Sequence, residues 1–437
     1  MPDNTSLASS LWRSLRHRNY RLYLTGQMVS VCGTWMQQVA QGWLVYRLTG
    51  SATLLGVVGF ASQIPVFALG PIAGVVTDRF SCRRIAVLTQ SAALLQALLL
   101  SLLTLTGLVQ PSHIILLGIL LGIINAFDMP ARQSLVNQLV EGEDLPNAVA
   151  LNSSMINAAR IVGPGLAGLL VAALGEGFCF LINALSYLAV IWALLAMRLT
   201  QRGRESAHHL SLAHSLAEGM RYVMTTAPIR DLLVLLGLVG FMGMPYMTLM
   251  PIFAGEVHKG GADALGLMMG SVGLGALIGA LSLAKRGQVR GLGKIIVATT
   301  MGFGVALVIF AASPSFWLSL AVLLGVGFSW MVLIAACNTL LQVLAVDEMR
   351  GRVMSLFSMM LVGMAPFGSL IAGWLADWVG APLVVTVGGF FCAAGGLVFA
   401  QRLPRLRETA LPILIARGII PDPLNPVETS DGVLRVD

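Results

Sequence analysis

Long apolar runs recur about twelve times along this chain, each close to the roughly 20 residues a helix needs to cross a hydrocarbon layer about 30 Å thick. The first are residues 20–48 and 53–76, and the last are 353–378 and 382–400. A chain in lipid must satisfy its backbone hydrogen bonds internally, and runs this long are unlike the roughly ten-residue alternating strands of a barrel. The expected fold class is therefore an all-α membrane protein. Composition points the same way: 57% of residues are hydrophobic, 11% are charged, and the mean hydropathy is +0.83, outside the range of soluble domains.

The longest internal polar stretch, 200–231, divides the runs into two sets of six. It predicts an N-terminal bundle over 1–199, a linker over 200–231, a C-terminal bundle over 232–400 and a disordered tail over 401–437. Within the linker Leu212, Leu216, Met220 and Val223 recur at helical spacing opposite Glu218 and Arg221, the pattern of an amphipathic helix on a membrane surface. The halves echo each other about two hundred residues apart, as expected of a chain built from repeated bundles. Asp144-Leu145-Pro146-Asn147 leads into Gly163-Pro164-Gly165, and Asp347-Glu348-Met349-Arg350 leads into Ala365-Pro366-Phe367-Gly368.

Charge assigns the loops. Lys and Arg collect in short cytoplasmic loops, and Arg13, Arg16, Arg18 and Arg21 precede the first run. The later basic groups are Arg79, Arg83 and Arg84; Arg198 to Arg230; Lys285 to Lys294; Arg350 and Arg352; and Arg402 onward. All fall on one side, leaving only Arg47 and Lys259 on the other, so both termini are expected in the cytoplasm with no leader removed. The net charge of +7 thus has a topological cause, and no nucleic-acid partner is implied. Five scattered cysteines and six histidines show no ligand spacing, and with no nucleophile or phosphate-loop constellation either, no metal, cofactor or enzymatic activity is expected.

Polar residues inside the runs mark candidate sites. Gln27, Ser30, Thr34, Gln37, Gln38 and Gln41 recur at intervals of three and four in the first run, placing them on one helical face. That face either lines a water-filled path or bonds other helices. The fourth run holds Asn125, Asp128 and Arg132 around Pro130, and Asp128 is the carboxylate deepest in any run. Asp128 and Arg132 are four apart and pair directly, which leaves two readings open: a protonation site or a structural ion pair. Arg160, near Asn157 in the fifth run, is a third intramembrane charge that either joins Asp128 or meets an anionic substrate. The second half has no matching charges and offers a Met- and Phe-rich wall through Met242, Met244, Tyr246, Met247, Phe328 and Trp330.

The loop between the second and third runs reads Gly70-Pro71-Ile72-Ala73-Gly74-Val75-Val76-Thr77-Asp78-Arg79-Phe80-Ser81-Cys82-Arg83-Arg84. Gly70 and Gly74, one turn apart, would let a neighbouring helix approach closely. The stretch resembles the signature loop of major facilitator superfamily transporters, with Ser81 in place of a glycine and Cys82 in place of a basic residue. Gly163-Pro164-Gly165-Leu166-Ala167-Gly168 resembles the antiporter motif of that superfamily, a helix-bend motif at Gly163, Pro164 and Gly168. Asn19-Tyr20-Arg21-Leu22-Tyr23, Gly33-Thr34-Trp35-Met36-Gln37, Ala40-Gln41-Gly42-Trp43-Leu44 and Asp128-Met129-Pro130-Ala131-Arg132-Gln133 are similar to the branch that includes the enterobactin exporter and macrolide efflux proteins.

The resemblance implies a twelve-helix, two-bundle fold, alternating access and proton-coupled export of a small organic molecule by a monomer. In that frame Asp128, Arg132 and Arg160 are the proton-coupling candidates. The stripe, Asn125, Asn157, Met244 and Met247 line the cavity. Gly74, Asp78, Arg79, Arg83 and Arg84 form a latch toward Arg350 and Arg352. A lipid carrier of the same fold and a non-transporting receptor or assembly factor are the alternatives.

Overall fold

The computed structural model describes residues 13–140, 142–197, 212–286 and 291–416, and these are helical throughout, with no strand among them. The first set of long helices is α1 (Arg18–Thr49), α2 (Ala52–Arg79), α3 (Cys82–Leu105), α4 (Pro111–Leu139), α5 (Leu145–Leu174) and α6 (Glu176–Ala196). A linker helix, α7 (Leu212–Thr225), precedes α8 (Ala227–Val257), α9 (Ala262–Arg286), α10 (Leu292–Ala312), α11 (Phe316–Leu344), α12 (Asp347–Val379) and α13 (Ala381–Ala416). Among the described residues eleven helices are long and apolar enough to cross a membrane. The remaining long helix is α1, 32 residues in length, whose polar stripe dilutes its hydropathy while it runs beside α5 and α6.

Turn chemistry sets the antiparallel order. Gly50 closes α1 with a left-handed backbone (φ +59°) while its N–H donates to the Tyr46 carbonyl at 2.7 Å. Ser51 then opens α2, its hydroxyl accepting the Leu54 N–H at 3.2 Å. A two-residue reversal of this kind, with its first residue left-handed, favours a backbone without a Cβ.

Within the first bundle α1 packs on α5 and α6, α2 on α4, and α3 on α4 and α6; within the second α9 packs on α11, and α10 on α11 and α13. The bundles meet through α5 against α9 and α2 against α12. A Cβ on Gly168 would lie 2.8 Å from the Ala262 carbonyl oxygen and one on Gly56 2.6 Å from that of Ser369, so these helices cross backbone to backbone. Among the described residues every close glycine approach across the interface lies near or beyond the helix midpoints, away from the end that carries Arg18 and Arg79. At that remote end Asp377 accepts hydrogen bonds from Ser51 Oγ (2.9 Å), Ala52 N (2.7 Å) and Thr53 N (3.0 Å), capping α2 from the opposite bundle.

At the basic end each bundle bonds to itself. Arg83 donates to the Leu195 carbonyl at 2.9 Å, Asp144 pairs with Arg13 and His17 at 3.1 Å each, and Arg352 pairs with Glu218 of α7 at 2.8 Å.

Two sequence expectations change. Gly70 and Gly74 face open space, with nothing within 4 Å of a Cβ at either; the close approach of α2 comes instead at Gly56, nearer the closed end. The tail expected to be disordered from residue 401 begins as helix, because α13 continues to Ala416, with Leu403 packed on Gly293 and Leu406 buried. Residues 417–437 lie outside the described residues, as do 198–211 of the linker.

Candidate functional site

The fourth helix brings its two charges to one place by spacing alone. Asp128 and Arg132 stand one turn apart, with Pro130 between them inside α4. Asp128 is 2% exposed, and its Oδ2 lies 2.6 Å from Arg132 Nε. Two donors from α3 converge on Oδ1: the Thr89 hydroxyl at 2.7 Å and Gln90 Nε2 at 3.0 Å. Arg132 also donates to Gln27 Oε1 of α1 at 2.9 Å. One carboxylate thereby ties three helices together. Burying an isolated charge costs several kcal/mol, and here a guanidinium and two polar hydrogens offset that cost. Beside the pair, Gln27 Nε2 and Gln90 Oε1 are buried with no hydrogen-bond partner.

The stripe on α1 divides. Gln27, Ser30, Gln37 and Gln41 are buried and Gln38 is exposed. Thr34 donates to the Ser30 carbonyl of its own helix at 2.9 Å. Gln37 sits in a second network, accepting from Asn183 Nδ2 at 2.6 Å and donating to Gln96 Oε1 at 3.2 Å, and Gln96 donates to the Leu117 carbonyl at 3.2 Å. This part of the stripe bonds α1, α3, α4 and α6 to one another. Asn157 donates to the Ser153 carbonyl one turn back at 3.0 Å, while Asn125 is half-buried.

Arg160 does not join Asp128. Its guanidinium lies over the Trp35 ring, 5.2 Å from the centroid, a cation–π arrangement, and its Nε is buried without a partner. Gly163 of the bend motif makes this possible, because a Cβ there would meet Trp35 Cβ at 2.6 Å. Pro164 is buried within α5. Across the interface stand Tyr246, 1% exposed and with no partner for its hydroxyl, then Phe303 and Trp330, while Met244 and Met247 pack half-buried against the core.

The latch is only partly visible. The side chain of Asp78 lies outside the described residues. Arg79 and Arg84 are exposed, Arg350 pairs with Asp347 in its own helix, and Arg352 is held by Glu218.

Thr89, Gln90, Gln96, Asn183 and Asp377 form bonds that sequence reasoning did not assign. The adjacent Thr89 and Gln90, with Gln96 further along an otherwise apolar run, are the signal that marks α3 as a polar partner.

The family profile described as transmembrane secretion effector matches residues 9–436. The chain belongs to this family of the major facilitator superfamily, whose members are membrane transporters and not enzymes. It is similar to the staphyloferrin A transporter of Staphylococcus aureus, 26% identical over 87% of this chain and 95% of that protein. It is also similar to the multidrug efflux pump Tap of Mycolicibacterium fortuitum, 27% identical over 89% and 97%, and to macrolide efflux protein A of Streptococcus pyogenes, 24% identical over 88% and 95%. Among solved structures the nucleoside transporter NupG has the same fold, with a TM-score of 0.68 at 12% identity over 88% of this chain and 99% of that one. A bacterial homologue of the lysosomal transporter Spinster gives 0.65 at 13% identity over 90% and 98%.

Proposed function

We propose that this chain is a proton-coupled exporter of small organic molecules that works by alternating access, with Asp128 as the coupling carboxylate. It acts as a monomer in the cytoplasmic membrane with both termini in the cytoplasm, in keeping with the basic residues gathered at one end. The named relatives support efflux as the class of activity. Closure of the bundle interface at the end remote from those residues suits a state open to the cytoplasm.

The observation that carries the coupling role is Asp128, buried within α4 and held by Thr89, Gln90 and Arg132 beside two unpartnered amide atoms. A purely structural pair would have its buried neighbours satisfied, whereas unpartnered amides give water and a proton a route to the carboxylate. When helix motion draws Arg132 away from Asp128, the carboxylate left behind is cheaper to bury neutral than charged, and the proton it takes up is released when Arg132 returns. One proton falling through one pH unit supplies about 1.4 kcal/mol, and one charge through 100 mV about 2.3 kcal/mol.

The opposing reading, a structural pair steadying a Pro-bearing helix, is favoured by the full ligation of both carboxylate oxygens. Asp128→Asn separates the two. In liposomes with an imposed pH gradient the variant is expected to lose pH-driven accumulation while keeping substrate-for-substrate exchange. Surviving accumulation assigns Asp128 to structure alone.

The latch belongs to the same cycle: the loop that carries Asp78 engages the start of α12, near Arg350 and Arg352, when the basic end closes. In the state described here those arginines bond within their own half, leaving exchange of partners as the switch.

A further inference from the structure

Of the first bundle's arginines, Arg132 and Arg47 are matched by buried carboxylates and Arg160 is not. Arg132 has Asp128, and Arg47 donates to both oxygens of Glu176 at 2.7 and 3.2 Å. Arg160 has no acidic partner among the described residues. It lies midway along α5, and its own backbone carbonyl is 3.0 Å from a Cβ built on Gly273 of α9, so the residue stands where the bundles meet at mid-membrane. The Trp35 ring covers one face of the guanidinium. That contact orients the group without neutralising it, and a guanidinium carries only donors, so its vacant positions select an acceptor.

The second observation is independent and comes from the other bundle. Tyr246, within electrostatic reach of Arg160, is 1% exposed, yet its hydroxyl has no partner. A buried hydroxyl left unpaired needs an explanation. Two hydrogen-bond donors, one charged, thus converge from opposite bundles on the mid-membrane interface, where carriers of this architecture hold substrate. Phe303 and Trp330, both buried and 5.8 Å apart by ring centroids, back the Tyr246 ring.

We propose that Arg160 and Tyr246 form the docking point for an oxyanion on the transported molecule, so that the chain prefers organic acids to amines. This rests on the reading of the chain as a transporter. A carboxylate matches the planar fork of the guanidinium, and Tyr246 donates to its second oxygen. Because the two donors belong to different bundles, the acid bridges the moving halves, and its release follows from their separation.

The test uses the purified full-length protein in lipid nanodiscs with two probes sharing one fluorophore, dansylglycine (carboxylate) and dansylcadaverine (ammonium). Dansylglycine is expected to bind at least about tenfold more tightly, since hydrogen bonds to charged groups reach that range. Arg160→Gln removes the preference, Arg160→Lys keeps part of it, and Tyr246→Phe weakens only the carboxylate probe, by about three- to tenfold. Monodispersity and thermal unfolding verify that each variant is folded. Displacement of dansylglycine by naphthoate or by lysophosphatidate tells a free acid from a lipid phosphate as the source of the oxyanion. Equal binding of the two probes, no binding of dansylglycine, or a preference that survives Arg160→Gln overturns the site. Liposome uptake keeps the two readings apart: Arg160-dependent binding without uptake removes the transport reading while the site stands. Uptake of dansylglycine unaffected by Arg160→Gln keeps transport and removes the site.

Discussion

The two bundles have the same helix count and opposite interiors. The first is joined by side chains: Asp128 with Thr89, Gln90 and Arg132, and Gln37 with Gln96 and Asn183. The second is joined mainly by backbone approach and aromatic packing, with Asp231 paired to Arg402 only near its basic end. Gly275 and Gly327 bring α9 and α11 into contact at Leu324 and Val272, and Phe253 stacks on Phe310 at 4.6 Å. It also contains the π-helical turns, at Val239–Gly243, Phe253–Val257 and Met359–Gly363, which re-aim side chains without adding charge. The contrast teaches that a symmetric architecture can divide its labour, with ionisable chemistry in one half and an adaptable apolar surface in the other.

The strongest way to break this comparison is to strand the buried acid. Arg132→Gln is expected to cost about 3–5 kcal/mol, because it leaves Asp128 charged and unpaired, and adding Asp128→Asn should restore most of the loss. Denaturation of both variants in detergent measures it. A cost below about 1 kcal/mol, the scale of an exposed pair, would make the first bundle no more dependent on charge than the second.

Backbone contact in the second bundle predicts a smaller penalty. A Cβ on Gly275 falls on the Leu324 carbonyl, so Gly275→Ala should cost about 1–3 kcal/mol through overpacking. If the variant is as stable as the parent by thermal unfolding, α9 and α11 are not locked as described.

The interface between the bundles comes next. Asp377 caps α2 from the opposite bundle, and Asp377→Ala should remove about 1–2 kcal/mol from the closed remote end. That shifts the balance of the two access states by roughly 5–30-fold, readable as faster modification of a cysteine introduced near Ala52. Unchanged labelling would show that glycine packing alone holds this end.

The smallest effect belongs to the linker. Arg352 and Glu218 are both partly solvent-exposed, so Glu218→Gln should change stability by less than about 1 kcal/mol, and high salt should erase the difference. A larger change would make α7 a structural member of the second bundle.

Much of this was legible in the chain. Apolar runs fixed the helices, since lipid permits few alternatives. The polar residues at intervals of three and four on α1 identified its inward face, and the spacing of Asp128 and Arg132 identified their pairing. The extent of α13 was hidden, because contacts of Leu403 and Leu406 with distant residues stabilise a segment whose own composition reads as tail. Gly70 and Gly74 were legible as small residues, but whether anything approaches them depends on how the bundles cross.

By itself the sequence determined that the protein is a helical membrane chain of two six-helix sets, and that Asp128, Arg132 and Arg160 in the first have no matching charges in the second. Periodicity and hydropathy act over one or two turns, so they need no knowledge of neighbours. Only the tertiary structure decided partners: Thr89 and Gln90 for Asp128, Trp35 for Arg160, Asp377 for the start of α2. These pairs lie tens to hundreds of positions apart along the chain, and their meeting is set by helix crossing angles that no local pattern encodes.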